Sequence, residues 1–267
     1  MSGESKRLVR LQGARRVWAV AAIHGEAERL IRLHDRIAPR FADGDRLVYL
    51  GNYLGRGNGI RATLDELLDF RRRIMARRGG LACDVVYLRG AQEQMWHKLL
   101  ELQFAPNPGE VLHWMVGEGV EATVCAYGGE MRNGFAAARD GPRMMTRWTS
   151  GLRCAMNSAP GHTALLTSLR HAAQTHDGQV LFVHAGIDTT RSLSEQGDAF
   201  WWAERNFSEL TGPFAGFRRI VRGFDRHHRG LVQGEFALSL DAGAGRGGPL
   251  LAAAIGPDGS VLDQLQG

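Results

Sequence analysis

Four apolar runs in this chain end in the same way, each in a glycine-bearing loop with polar side chains. Residues 17–23 run into His24-Gly25, 45–50 into Gly51-Asn52, 84–88 into Arg89-Gly90, and 179–183 into His184-Ala185-Gly186. Short apolar runs bounded by turn residues suit strands buried on both faces. Segments of helical period follow the first three. Residues 26–37 carry Leu30, Ile31, Leu33 and Ile37 on one stripe, residues 60–75 carry Leu64, Leu67, Leu68 and Phe70, and residues 92–102 complete the set. Strand, polar glycine loop and helix, repeated, describe an α/β chain. In such chains ligands collect where loops and helix N-termini converge at the carboxyl ends of strands. His24, Asn52, Arg56, Arg89, Gln92 and His184 are therefore expected to share one site. One histidine at a strand end is commonly structural, but several strand ends punctuated alike favour a site.

Residues 107–175 read as mostly helical, broken at Gly128-Gly129, Gly141-Pro142 and Pro160-Gly161. Residues 219–221, 235–240 and 250–255 read as later strands, with Asp258-Gly259 as a hairpin turn. No linker, repeat or low-complexity tract divides the chain. The expectation is a single domain over 15–267, preceded by an N-terminal extension at 1–14 and carrying a helical insertion at about 100–175.

At 44% hydrophobic and 23% charged residues, the composition has core material enough to exclude a disordered chain. Of the 33 Lys and Arg only Lys6 and Lys98 are lysine, and with 28 Asp and Glu they give a net charge of +5. A polyanionic partner and arginine-rich codon usage both produce such a balance. No block of about five consecutive basic residues occurs. The densest group, Arg71, Arg72, Arg73, Arg77 and Arg78, falls on a helix and reads as a solvated face, so nucleic acid is not an expected partner. No apolar run is long enough to span a bilayer, and the first twenty residues lack the apolar stretch of a signal peptide. With Cys83, Cys125 and Cys154 odd in number and widely spaced, the expected location is the cytoplasm.

Taken in order, the strand-end loops carry a series of partial motifs. Ala21-Ala22-Ile23-His24-Gly25 stands where GDxHG would, and Gly51-Asn52-Tyr53-Leu54-Gly55-Arg56-Gly57 where GDxxDRG would. Arg89-Gly90-Ala91-Gln92-Glu93 stands for a GNHE preceded by arginine, Val183-His184-Ala185-Gly186 is an intact VHAG, and Gly223-Phe224 replaces GH. Glu121-Ala122-Thr123, Phe200-Trp201-Trp202 and Asp241-Ala242-Gly243 add support. The series resembles the calcineurin-like metallophosphoesterase superfamily, most closely its bacterial PPP-type serine/threonine phosphatase and symmetrical diadenosine tetraphosphatase branch. It spans about residues 15–265. The resemblance implies a central β-sandwich flanked by helices, in four αββα layers.

It also implies a site that has lost its chemistry. The superfamily hydrolyses phosphate esters with two metal ions about 3.5–4 Å apart. Carried over residue by residue, the ligand positions hold Ala22, His24, Asn52, Ala91, His184 and Phe224. The first carboxylate is gone and the bridging one is a neutral amide, so nothing offsets the repulsion of two dications. No cofactor is expected, beyond at most a single, weakly held Zn²⁺ or Mn²⁺ on His24, Asn52 and His184. The histidine that protonates the leaving group is Gln92, which cannot donate a proton at useful pH, and the carboxylate that orients it is Gly55. Arg56 and Arg89 stand where the superfamily grips phosphate. A third such arginine has no clear counterpart, with Glu204 in register and Arg205 one position later. For the first two, pairing with local acids such as Glu93 is the alternative. The Asp225–Arg229 stretch contains His227 and His228, which could replace the missing ligand but read as an exposed loop. Gly243–Gly248 lacks the Lys-Ser/Thr of a phosphate loop. The implied function is a pseudophosphatase that binds a protein partner or a phosphorylated ligand. The alternatives are an active phosphoesterase with a remodelled metal site and an arginine-rich nucleic-acid or nucleotide binder.

Overall fold

The structure is a computed structural model and describes residues 8–203, 207 and 210–267. Strands β1 (Leu8–Leu11) and β2 (Arg16–Val20) open the chain, followed by helix α1 (Ala27–Ile37), β3 (Asp45–Tyr49), α2 (Ile60–Met75), β4 (Val85–Tyr87) and α3 (Ala91–Leu99). Five helices come next: α4 (Pro108–Gly117), α5 (Glu121–Ala126), α6 (Met131–Asp140), α7 (Pro142–Asn157) and α8 (His162–Thr167). Strands β5 (Ala172–Thr175) and β6 (Val180–Val183), helix α9 (Ala199–Trp202), β7 (Arg219–Arg222), β8 (Val232–Gln233), β9 (Ala237–Ser239), β10 (Leu251–Ile255) and β11 (Val261–Gln266) complete it.

Two mixed sheets result. One has the order β11-β10-β2-β3-β4, with β2, β3 and β4 parallel, and the other β1-β5-β6-β7-β9-β8. Side-chain alternation along β6 shows how they are layered. Val180 and Phe182 join the large core that also contains Trp18, Val20 and Leu47 of the other sheet, whereas Leu181 and Val183 join a second cluster with Phe200, Trp201 and Phe207. On the far side of the first sheet, Leu30, Leu33 and Ile37 of α1 and Leu64 and Phe70 of α2 enter the same large core. The architecture is the helix-flanked pair of sheets that the motifs imply. The layer over the second sheet is thin among the described residues, built from α9 and the aromatic side chains near it.

Two boundaries differ from the sequence reading. Residues 8–11, within the expected N-terminal extension, form β1 and pair in parallel with β5. The helical insertion stops at α8, because residues 172–175 form β5. Ala-Ala-Gln-Thr carries no strand signature, but β5 lies between β1 and β6, with Ala172 and Ala173 facing different clusters. Burial on both faces overrides local preference there.

The sheets meet closely at the carboxyl ends of their strands. Ala22 N donates to Gly223 O at 2.9 Å, and His184 Nδ1 donates to Leu50 O at 2.6 Å. A Cβ added at Gly223 would lie 2.2 Å from the Leu50 Cβ, on the opposite sheet. Gly223→Ala is expected to cost about 2 kcal/mol by overpacking, read as a fall of roughly 5 °C in the thermal midpoint. An unchanged midpoint would mean that the two sheets are not this close.

Candidate functional site

Loops after β2, β3, β7 and β9 converge with the N-terminus of α3 on one cavity of about 760 Å³. His24, Asn52, Arg56, Ala91, Gln92 and Phe224 line it, whereas His184, expected in the same site, is not in the lining and stacks on Phe224. The first two loops are zipped by backbone bonds, Ile23 N to Asn52 O (3.0 Å), Gly25 N to Tyr53 O (3.0 Å) and Gly57 N to His24 O (2.7 Å). This tight crossing holds His24, Asn52 and Arg56 at φ of 54, 53 and 56°. Three non-glycine residues in the left-handed region, all facing one cavity, mark a locally strained and over-determined site.

Glu93 fixes the Asn52 loop from below. Its buried carboxylate accepts from Gly90 N (2.8 Å), Asn52 N (2.9 Å), Tyr53 N (2.8 Å) and Leu54 N (3.1 Å). Burial pushes its carboxyl up from the ordinary value, and these four donors oppose that. Glu93 therefore binds backbone, and its partners do not include Arg56 or Arg89.

The Asn52 side chain is oriented by the same helix. Its Oδ1 accepts from Gln92 N at 2.9 Å, which turns its amide nitrogen toward His24 Nε2 at 3.3 Å. His24 thus meets a donor at Nε2 and keeps its proton on Nδ1, which is buried without a hydrogen-bond partner. His184 gives its Nδ1 proton to Leu50 O, so its Nε2 lone pair is buried and unpartnered. Phe224 fills the space between the rings. It stacks on His184 at 5.5 Å and 14°, and lies edge-on to His24 at 6.1 Å and His228 at 5.9 Å.

These residues do not fit a two-metal centre. Ala22 and Ala91 have no donor atom, Asn52 presents N–H groups to His24, and a phenyl ring covers His184. Only His184 Nε2 remains as a ligand atom without a competing proton among the carried-over positions. Among the described residues, no group of three or more His, Cys, Asp or Glu is placed to hold a metal ion. Asn52, expected to help His24 and His184 hold one weak metal, instead occupies the nitrogen that His24 would use.

Gln92 and Gly55 are sterically matched. Gln92 Nε2 donates to Glu118 O at 2.8 Å, and a Cβ at Gly55 would lie 2.4 Å from Gln92 Oε1. With the amide in place there is no room for the carboxylate that resemblance would put at Gly55. This is the physical form of the paired loss seen in the sequence.

The charge of the cavity is mainly positive. Arg56 lines it 3.9 Å from Glu118, and Arg226 and Arg246 line it too. The other acid in the lining, Asp225, is engaged by Arg222 at 3.0 Å and Arg229 at 2.9 Å. Arg89 is not part of the lining: its guanidinium donates to Gln94 Oε1 at 3.0 Å. Of the two expected phosphate contacts, the structure brings only Arg56 to the cavity. Glu204 and Arg205 lie outside the described residues.

Sequence reasoning missed Arg246 and discounted His228. The glycine-dense turn was the available signal for Arg246. A Cβ at Gly245 would lie 2.4 Å from the His24 Cβ, so only glycine lets that turn approach and bring Arg246 over the site. His228 is held toward the cavity by Asp241, whose Oδ2 lies 2.8 Å from its Nδ1. Trp114 and Trp202 form the rim, with centroids 6.0 Å apart and both rings substantially exposed.

Burial, with nearby Arg56 second, lowers His24 to about 3, and burial lowers His184 to about 4. Both are neutral at pH 7, and below about pH 6.5 the unfolded chain binds protons that the folded chain refuses. Their contribution to stability is complete above that pH and is lost as the pH falls. Urea unfolding between pH 7 and 4 should show stability falling, with His24→Asn reducing the slope by about one proton, roughly 1.4 kcal/mol per pH unit. An equal slope in the variant would mean that His24 titrates normally.

No protein-family model and no curated protein matches this chain. Solved structures do match. A provisionally assigned diadenosine tetraphosphatase is 19% identical, covers 98% of each chain and has a TM-score of 0.58. The I115M mutant of a cold-active protein tyrosine phosphatase is 14% identical over 100% of this chain and 85% of its own, at 0.54. A cold-active protein-tyrosine phosphatase of a psychrophilic Shewanella is 15% identical over 100% and 85%, at 0.52. At these identities the likeness is one of fold, and the fold is the phosphoesterase fold that the motif series implies. No helix among the described residues is long and apolar enough to cross a membrane.

Proposed function

We propose that this chain is a pseudophosphatase, a phosphoesterase scaffold that works by binding a phosphorylated ligand, free or carried on a protein partner, without turning it over. The observation that carries this reading is the Phe224 ring stacked on His184, next to an Asn52 amide aimed at His24. Both set uncharged groups against the neutral histidines where metal coordination would need free lone pairs.

The anion-binding half of the proposal is supported by the arginine lining. In a metal site the cations would neutralise phosphate, and here Arg56, Arg226 and Arg246 supply positive charge in their place. Arg56 is half-buried in a partly dry setting, where charge-assisted hydrogen bonds are strongest. The cavity, about 760 Å³, has room for a body beyond the phosphate group. We place this activity in the cytoplasm, where the exposed, unpaired Cys83, Cys125 and Cys154 would stay reduced.

Calorimetric titration with phenyl phosphate in a chelating buffer tests the reading. Saturable binding without metal is expected, weakened about tenfold in Arg56→Ala by loss of one charge-assisted contact. Aryl phosphate should not be turned over in added Mn²⁺. Stoichiometric bound metal with turnover abolished by His184→Ala would overturn the proposal in favour of a remodelled active site. Absence of any metal-free binding would remove its phospho-ligand form.

A further inference from the structure

A second cleft, about 370 Å³, lies between the edge strands of the two sheets and shares no lining residue with the first. β1 is the edge of one sheet and β4 the edge of the other, and α2 and α8 close the gap. Its walls combine two chemistries. Leu68, Val85, Val86 and Leu165 line it together with Arg10, Arg46, Arg71 and Arg170. Among the described residues no Asp or Glu lines it.

The arginines differ in how they are occupied. Arg46 pairs with Asp84 at 3.2 Å and donates to Gln12 O at 2.6 Å. The basic run on α2, which reads in sequence as a solvated face, divides in the structure. Arg72 and Arg73 pair outward with Asp69 and Glu66, and Arg77 lies over the Phe41 ring. Arg71 lines the cleft instead, close enough to Tyr87 to affect its ionisation, with its Nε buried and lacking a hydrogen-bond partner. A carboxylate matches the planar fork of an arginine guanidinium better than other anions of its size do.

We propose that this cleft binds an amphipathic carboxylate, with its head on Arg71 and Arg10 and its short apolar body on Leu68, Val85 and Leu165. The site is independent of the phosphoesterase-like cavity and requires no metal. Arginine without acid beside apolar side chains selects an anion with a hydrocarbon tail over a small, fully hydrated one. The volume is of the order found in small-molecule sites.

Cys83 provides a built-in reporter. It is exposed and lines the cleft, whereas Cys125 and Cys154, also exposed, do not. Iodoacetamide alkylation of the full chain, followed residue by residue by mass spectrometry, gives three rates from one sample. Saturating decanoate should slow Cys83 alkylation about fivefold by mass action and leave Cys125 and Cys154 unchanged. Arg71→Leu, which keeps the apolar volume, should abolish the protection, and Arg10→Gln should weaken it. Unchanged rates at the other two cysteines show that each variant is folded. The proposal is overturned if decanoate leaves Cys83 unprotected, slows all three cysteines alike, or protects equally in Arg71→Leu. Protection by acetate equal to that by decanoate would also overturn it, since the tail would then contribute nothing.

Discussion

One buried carboxylate gathers the backbone of the candidate site. Glu93, in the first turn of α3, accepts from the amides of Gly90, Asn52, Tyr53 and Leu54. Both oxygens are used twice, so the loop after β3 cannot shift without leaving donors unpaired in the interior. That loop then fixes its neighbours. Asn52 O accepts from Ile23 N and His24 N, which sets the loop after β2, and the Asn52 side chain bonds the α3 N-terminus with its oxygen and His24 with its nitrogen. Strained φ at His24, Asn52 and Arg56 is sustained by this web.

On the proposed reading, chemistry and scaffold have separated in this protein. Frame contacts persist: the loops cross tightly, the sheets meet through His184 and Leu50, and Gly223 leaves room for that meeting. At the positions where the motif series implies reactive groups, the side chains present are sterically matched. Gln92 fills the space that a side chain at Gly55 would need, and Phe224 fills the space that a metal-ligating ring would leave open beside His184. An aromatic ring against a neutral, deeply buried imidazole is compatible with low dielectric in a way that an unpaired dication is not. The charge that lines the cavity is mainly cationic, with Glu118 beside Arg56.

Much of this was legible in the sequence because strand-end glycines and motif order are local signals. α2 begins and ends at the residues that its period predicts, and the loops after β2 and β3 meet the start of α3 at one cavity. The failures have physical causes of their own. β5 is Ala-Ala-Gln-Thr, and its strand state depends on burial between two neighbours rather than on its own side chains. Arg89 sits at a phosphate-gripping position in sequence, but a partner five residues on, Gln94, draws its guanidinium away from the cavity. His228 reaches the site because Asp241, far along the chain, holds its ring. Arg71 looks like one of five solvated arginines until the rotation of α2 sets it against the edge strands. None of these depends on local pattern, so none could be read from it.

The most direct measurement of the central claim is the metal content of a restored chain. Ala22→Asp, Asn52→Asp, Gly55→Asp, Ala91→Asn, Gln92→His and Phe224→His together return the missing ligands and acid–base pair. If the scaffold has been kept and only its chemistry replaced, the restored protein, equilibrated with Mn²⁺ and desalted, should carry about two metal ions per chain while the natural sequence carries essentially none. A natural sequence that retains stoichiometric metal would contradict the account. So would a folded restored chain that binds no more metal than the natural one.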